Sequence, residues 1–222
     1  MRLENFRNDQ GQLWLNVASS HYPVDGFVNL DNHVMMIALD RPYLLPLIPR
    51  RNKDLLEAYR EARAKGVFVR HDCRRKLPVP DATVDHILCS HFLEHVFPDE
   101  GRSILADFKR ALKPGATMHI IVPDIEILAR RYVEQCDAGS ATAADELIER
   151  SLLSKKDRGS WRYRTMEFSG GFGLGHRWMY DRHSMRARIE AEGFEILDGN
   201  DTPSRIFREG DDSVHVVARK PR

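Results

Sequence analysis

The stretch from Leu13 to Asp31, L-W-L-N-V-A-S-S-H-Y-P-V-D-G-F-V-N-L-D, holds residues whose types and spacing point to ligand chemistry. Leu13 to Val17 predicts a short apolar strand, Ala18-Ser19-Ser20 a tight small-residue turn, and Phe27 to Leu30 a second strand ending on the acid Asp31. In open α/β sheets ligands bind beyond the carboxyl ends of the strands. A small-residue turn there lets a cofactor approach the backbone, and an acid ending the next strand accepts hydrogen bonds from a ribose. The pattern implies an adenosine-containing cofactor. Further along, His91 and His95 lie four apart, His176 follows a glycine-rich run, and Asp124 ends an apolar segment. A histidine titrating near neutrality suits proton acceptance.

The elements that must position these groups alternate in type. Val67 to Arg70 predicts a third strand, closed by His71-Asp72-Cys73. His86 to Cys89 predicts a buried fourth, and Thr117 to Val122 a fifth, ending in Pro123-Asp124. Between the last two, Ile104, Leu105, Phe108 and Leu112 share one face of a helix from about Asp99 to Leu112, stopped by Pro114-Gly115. Leu55, Leu56, Tyr59 and Ala62 predict a helix over 53–65 within the connection 32–66. The apolar half of that connection, Val34 to Ile48, reads as crossover packing on the sheet, or its Met35–Ile48 segment covers the cleft or docks a greasy acceptor. Asp124 to Cys136 predicts a helix, continued over 138–154. Asp181 caps another, reaching Glu192, and Phe194 to Leu197 and Ser213 to Ala218 are strands that suggest an antiparallel hairpin at one sheet edge. Strands and helices alternating at this spacing imply βαβ units and a mostly parallel sheet.

Size and composition bound the function. At 222 residues, 42% hydrophobic and 30% charged, the chain reads as one globular domain, 1–222. A formal net charge of +1 argues against a dedicated nucleic-acid binder, although Lys155, Lys156, Arg158, Arg162 and Arg164 form a local basic patch. Three cysteines without framework spacing (Cys73, Cys89, Cys136) and an N-terminus without an apolar h-region imply a cytoplasmic setting. Val34 to Ile48 falls short of the roughly 20 residues of a membrane span. No membrane partner is expected.

In order, these pieces resemble a class I S-adenosylmethionine-dependent methyltransferase of the compact type 11 kind. The residues that carry the resemblance are L-N-V-A-S-S-H and G-F-V-N-L-D, then H-D-C-R-R-K-L-P-V-P-D-A-T-V-D-H-I-L-C-S-H-F-L-E-H-V, then L-K-P-G-A, I-I-V-P-D, G-H-R-W-M-Y-D and E-G-F. The resemblance implies a Rossmann-like fold, with a mostly parallel seven-stranded sheet, an antiparallel edge strand and helices on both faces. It implies that the turn from Asn16 through Ala18, Ser19 and Ser20 faces the methionine part of S-adenosyl-L-methionine. Asp31 would hold the ribose, Asp72 and the Cys73 backbone would read the adenine, and Ser90 and His91 would lie beside the sulfonium. S-adenosyl-L-homocysteine would be the product. Residues 155–180 would form an active-site loop.

One departure stands out. The family turn carries glycines, typically G-C-G, where this chain has Ala18-Ser19-Ser20. Either a side chain is forced into left-handed geometry, at about 1–2 kcal/mol, or the turn stays in allowed space and a serine hydroxyl bonds the cofactor carboxylate. Gly171-Phe172-Gly173-Leu174-Gly175 is a glycine string without a preceding strand and too late for a nucleotide turn. A nicotinamide oxidoreductase is disfavoured for lack of a proper glycine turn. His91 to His95 matches H-x-x-E-H, the spacing of inverted zinc proteases. It sits, however, where methyltransferases of this kind carry a similar L-E-H, so no metal is expected. The sequence therefore predicts methyl transfer to a small-molecule acceptor, more fittingly at oxygen, with His176 as first base candidate and His91 and His95 next. The rival is a catalytically silent, methyltransferase-like scaffold.

Overall fold

A computed structural model describes residues 3–154, 175–198 and 212–222. Seven strands form one sheet: β1 (Trp14–Val17), β2 (Val28–Asp31), β3 (Val67–Arg70), β4 (Val84–Ser90), β5 (Leu112–Pro123), β6 (Glu195–Leu197) and β7 (Ser213–Arg219). Their order is β3-β2-β1-β4-β5-β7-β6. The first five pair in parallel, while β7 runs antiparallel to both β5 and β6. The expected hairpin is therefore present, with β6 as the edge and its antiparallel partner β7 one place inside.

Six helices are described: α1 (Val34–Asp40), α2 (Lys53–Lys65), α3 (Pro98–Ala111), α4 (Ile125–Asp137), α5 (Ala143–Ser151) and α6 (Arg182–Ala191). Pairing register and the period-two alternation of strands separate the sheet's two faces. Val17, Leu30, Cys89, Ile120 and Val216 belong to one face and pack in a single core with Ile104, Leu105 and Phe108 of α3 and Met185 and Ile189 of α6. Phe68, on the other face, packs with Met35 and Met36 of α1 and Leu56 and Tyr59 of α2. Helices thus cover both faces, as expected. Burial of each such side chain contributes about 1.5–3 kcal/mol.

Several boundaries differ from the sequence reading, each for a local reason. The helix ahead of β5 ends at Ala111, where Leu112 turns extended, so Pro114-Gly115 lies inside β5 rather than stopping the helix. The helix expected to continue from Ala138 breaks instead. Gly139 at φ +73° ends α4, and α5 starts only at Ala143 and closes on left-handed Leu152. The apolar half of the 32–66 connection folds as α1 and a 3-10 segment, Pro42–Leu47, whose Leu45 joins the α1–α2 cluster. The basic patch from Lys155 to Arg164 and the glycine string up to residue 174 lie outside the described residues. No helix among the described residues is long and apolar enough to cross a membrane.

Candidate functional site

The register lines up the candidate residues along the carboxyl edge of the sheet. Val17 pairs with both Leu30 and Cys89, so Ala18 leaves β1 between Asp31 and Ser90. Asp31 pairs with Arg70, two residues before Asp72. On the far side, Ser90 pairs with Ile121 of β5. One edge thus carries Asp72, Asp31, the Ala18–Ser20 turn and Ser90-His91 in spatial order.

Of the two turn geometries open from sequence, the structure takes the left-handed one. Ala18 has φ 56° and Ser20 φ 48°. The strain is offset by hydrogen bonds: the Ser19 N–H donates to the Leu30 carbonyl (3.0 Å) and the Ser20 N–H to Asp31 Oδ2 (3.0 Å). Asn16 is buried and gives both hydrogens of its amide away, to the Tyr22 carbonyl (3.1 Å) and Asn29 Oδ1 (2.9 Å). It braces the loop by this means. The Ser19 hydroxyl lies 3.4 Å from the Ser20 carbonyl.

Asp31 is more heavily engaged than its position in the sequence suggests. Besides Ser20, its carboxylate accepts the His33 N–H at 2.7 Å and the Tyr59 hydroxyl at 3.2 Å, both on Oδ1. Tyr59 stacks on His33 with ring centroids 5.0 Å apart, and its hydroxyl lies 3.3 Å from Ser20 Oγ. Burial, followed by the Asp31 charge, pushes the Tyr59 phenol well above its ordinary range. Burial pushes the His33 imidazole down, only partly offset by Asp31. Sequence reasoning placed Tyr59 at a helix core position; its apolar spacing gave no sign of the hydroxyl contact.

Asp72 carries a fork from Arg74, with Nε on Oδ1 and a terminal nitrogen on Oδ2, each at 3.0 Å. Those bonds hold its carboxyl below the usual range. The Cys73 thiol is buried, and that burial pushes it up to about 12, so it stays protonated.

Beyond β4 the chain turns sharply into a histidine-rich corner. His91 sits at φ 53° with its N–H on the Ile121 carbonyl (2.9 Å), and Leu93–His95 is a single 3-10 turn. The helical face that an inverted zinc-protease string needs is therefore missing. Glu94 is nonetheless 1% exposed. His91 Nδ1 lies 3.3 Å from its Oε1 and His95 Nε2 4.0 Å. Neither carboxylate oxygen has a hydrogen bond among the described residues. The backbone of the same residue clamps the returning chain, because the Glu94 carbonyl accepts the Arg177 N–H (2.6 Å) and the Trp178 N–H (3.1 Å).

That clamp brings His176 in. The His176 N–H bonds the Leu152 carbonyl (2.9 Å), and its ring meets the His95 ring edge-on, with centroids 5.0 Å apart. His176 Nδ1 lies 3.2 Å from Met179 Sδ, and His95 Nδ1 lies 3.2 Å from the Gly175 carbonyl. Burial lowers the His176 pKa, with the Glu94 charge opposing it. His91 and His95, read from sequence as one string, and His176, read apart from them, thus gather around Glu94. The H-x-x-E-H string contained that glutamate, but nothing in it signalled burial. Asp124 serves as the N-cap of α4, accepting the Glu126 N–H at 2.9 Å, while its neighbour Ile125 donates to the Tyr180 carbonyl.

Residues 50–120 match the family described as methyltransferase domain, a span from just ahead of α2 into β5 that includes Asp72, Ser90 and Glu94 but not Asp31. A comparison with curated protein sequences finds no match. Among solved structures, the fold is similar to a chain from the complex between the Haloferax volcanii Trm112 methyltransferase activator and a methyltransferase. That likeness has a TM-score of 0.52 at 14% identity and covers 100% of this chain and 88% of the other. A protein from Pyrococcus horikoshii OT3 superposes with a TM-score of 0.52 at 16% identity over 96% and 84% of the two chains. A SAM-dependent methyltransferase from Methanosarcina mazei does so with a TM-score of 0.51 at 15% identity over 94% and 92%. Sheet order and superposition agree that the chain shares the fold of these structures, and its segment 50–120 is similar to a methyltransferase domain.

Proposed function

We propose that the chain binds S-adenosyl-L-methionine and transfers its methyl group to a small-molecule acceptor, a hydroxyl of a sugar, glycan or natural product. The observation that supports this most is the gathering of three imidazoles around a buried carboxylate where β4 ends, next to the Ala18–Ser20 turn in the sheet.

The residues present fit the cofactor. The turn holds the left-handed backbone that glycines would give, with an acid at the end of the adjacent strand. A carboxylate offers about four lone-pair sites. Asp31 already accepts three hydrogen bonds, so a ribose hydroxyl takes the remaining site and a second displaces the Tyr59 hydroxyl. Asp72 reads an exocyclic amine once Arg74 yields one oxygen. Ser90 and His91 would flank the sulfonium, and the backbone of Cys73 would border the adenine.

The cofactor supplies an activated methyl group; the chain supplies alignment and a place for the acceptor proton. The acceptor oxygen would gain that methyl group and lose its proton, with S-adenosyl-L-homocysteine as the product. Alignment provides much of the acceleration. The hydroxyl proton passes to an imidazole. His176 is the first candidate, because burial keeps it neutral and able to accept, with His91 and His95 next.

A second reading, a silent methyltransferase-like scaffold, is favoured by one observation: Asp31 is largely occupied by protein donors. Calorimetric titration with S-adenosyl-L-methionine and S-adenosyl-L-homocysteine separates the two. Micromolar binding supports the enzyme, whereas no binding into the millimolar range sinks it. In the enzyme, His176→Gln is expected to lower turnover at least about tenfold, with cofactor affinity nearly intact. Unchanged turnover removes His176 from the proton path.

A further inference from the structure

A carboxylate that is 1% exposed and lacks hydrogen bonds among the described residues is costly unless something charged or strongly donating sits against it. The His91 and His95 imidazoles stand 3.3 and 4.0 Å from it. One ligand atom each from Glu94, His95 and His176 lies within 4.8 Å of the others. We propose that this corner is a divalent transition-metal site, with one carboxylate oxygen and two imidazole nitrogens as protein ligands.

Three further features of the corner agree. Metal-bound histidines typically donate their second ring N–H to a backbone carbonyl, which fixes the tautomer. His95 Nδ1 stands 3.2 Å from the Gly175 carbonyl, which leaves Nε2, the nitrogen facing Glu94, with its lone pair free for a cation. The His176 imidazole bonds the Ser151 backbone, which leaves its other ring nitrogen as the ligand atom. The three ligands also come from chain segments already clamped together, since the Glu94 carbonyl holds Arg177 and Trp178. Two imidazoles and one carboxylate suit zinc, cobalt, manganese or iron(II) rather than magnesium or calcium. Ligands about 2.0–2.2 Å from a tetrahedral ion stand about 3.5 Å apart, so the side chains close inward by about 1 Å on binding. The remaining coordination positions stay open to water or to an acceptor oxygen. This part of the inference rests on the methyl-transfer reading: a hydroxyl bound to the cation ionises more readily, and with His176 engaged as a ligand its proton passes to His91, the next base candidate. The site itself does not depend on that reading.

The test uses the full chain, stripped with chelator and then dialysed free of it. Zinc is titrated by calorimetry and cobalt by visible absorption. One ion per chain at micromolar affinity or tighter, with cobalt ligand-field bands, is expected. Glu94→Gln and His176→Gln should each weaken binding at least about a hundredfold, while His183→Gln, on an exposed histidine of α6 outside the cluster, should not change it. Far-UV circular dichroism checks that each variant is folded. Where Glu94→Gln is not, His176→Gln and His95→Gln carry the test. Absent binding, or binding undiminished in the ligand variants, overturns the site and leaves a metal-free carboxylate–imidazole cluster. S-adenosyl-L-homocysteine is titrated into the same preparation. Zinc binding without cofactor binding keeps the site and sinks the methyl-transfer reading, and the reverse outcome does the opposite.

Discussion

At the scale of single residues, the turn after β1 shows how a non-glycine sequence retains a glycine-like loop. Ala18 at φ 56° and Ser20 at φ 48° each carry about 1–2 kcal/mol of left-handed strain. The Ser19 and Ser20 amides answer it with bonds to Leu30 and Asp31. At an ordinary half-buried position, Ala→Gly costs about 1–2 kcal/mol through chain entropy and a lost methyl contact. At Ala18 the relief of strain cancels that cost. Ala18→Gly is therefore expected to leave the urea unfolding free energy within about 0.5 kcal/mol of the parent. A loss well above 1 kcal/mol would show that Ala18 is not strained.

At the scale of elements, caps decide where the helices that frame the site begin. Asp181 accepts the Ser184 N–H at 2.7 Å while the Ser184 hydroxyl accepts the Asp181 N–H at 3.1 Å, which starts α6 immediately after the segment that brings His176 to Glu94. Asp181→Ala is expected to cost about 1 kcal/mol in urea unfolding at pH 7. The backbone bond from Ser184 holds the Asp181 carboxyl below its ordinary value. A depressed carboxyl stabilises the fold above its unfolded pKa and ceases to do so as pH falls through the lower folded value. The difference between parent and variant should therefore be undiminished at pH 5. A difference already gone at pH 5 would show that the carboxylate is not the cap.

At the scale of the whole molecule, the second face of the sheet hides histidines among its parallel strands. His86 and His119 are fully buried, with His86 Nδ1 2.8 Å from Thr117 Oγ1 and His119 Nε2 3.1 Å from His215 Nδ1. Burial holds His86 at about 4 and, with the neighbouring His215, His119 at about 3. The unfolded chain takes up these protons near pH 6.5. Between that value and the folded ones it binds more protons than the native state, so stability falls as pH falls. Each histidine contributes a slope of about 1.4 kcal/mol per pH unit at most. From pH 7 to pH 5 the urea unfolding free energy is expected to drop by about 2–4 kcal/mol, and His119→Gln should flatten the dependence. A parent curve flat over that range would mean that these imidazoles are not held neutral.

The strand–turn–strand from Trp14 to Asp31, the amphipathic run of α3 and the acid ending β2 were legible because each depends on local periodicity and on residue types within a few positions. The parallel order follows from alternation, since parallel neighbours need helical crossovers. Three things could not be read locally. The 3-10 turn at Leu93–His95 follows left-handed His91, which is tied to Ile121 across the sheet. The Asp31 carboxylate is shared with Tyr59, 28 positions away. His176 reaches Glu94 through backbone bonds spanning more than eighty residues. The sequence by itself determined which groups with useful chemistry exist and on which strand ends they fall. Only the tertiary structure decided which of them meet around one buried carboxylate, because that depends on long-range hydrogen bonds whose partners have no fixed spacing along the chain.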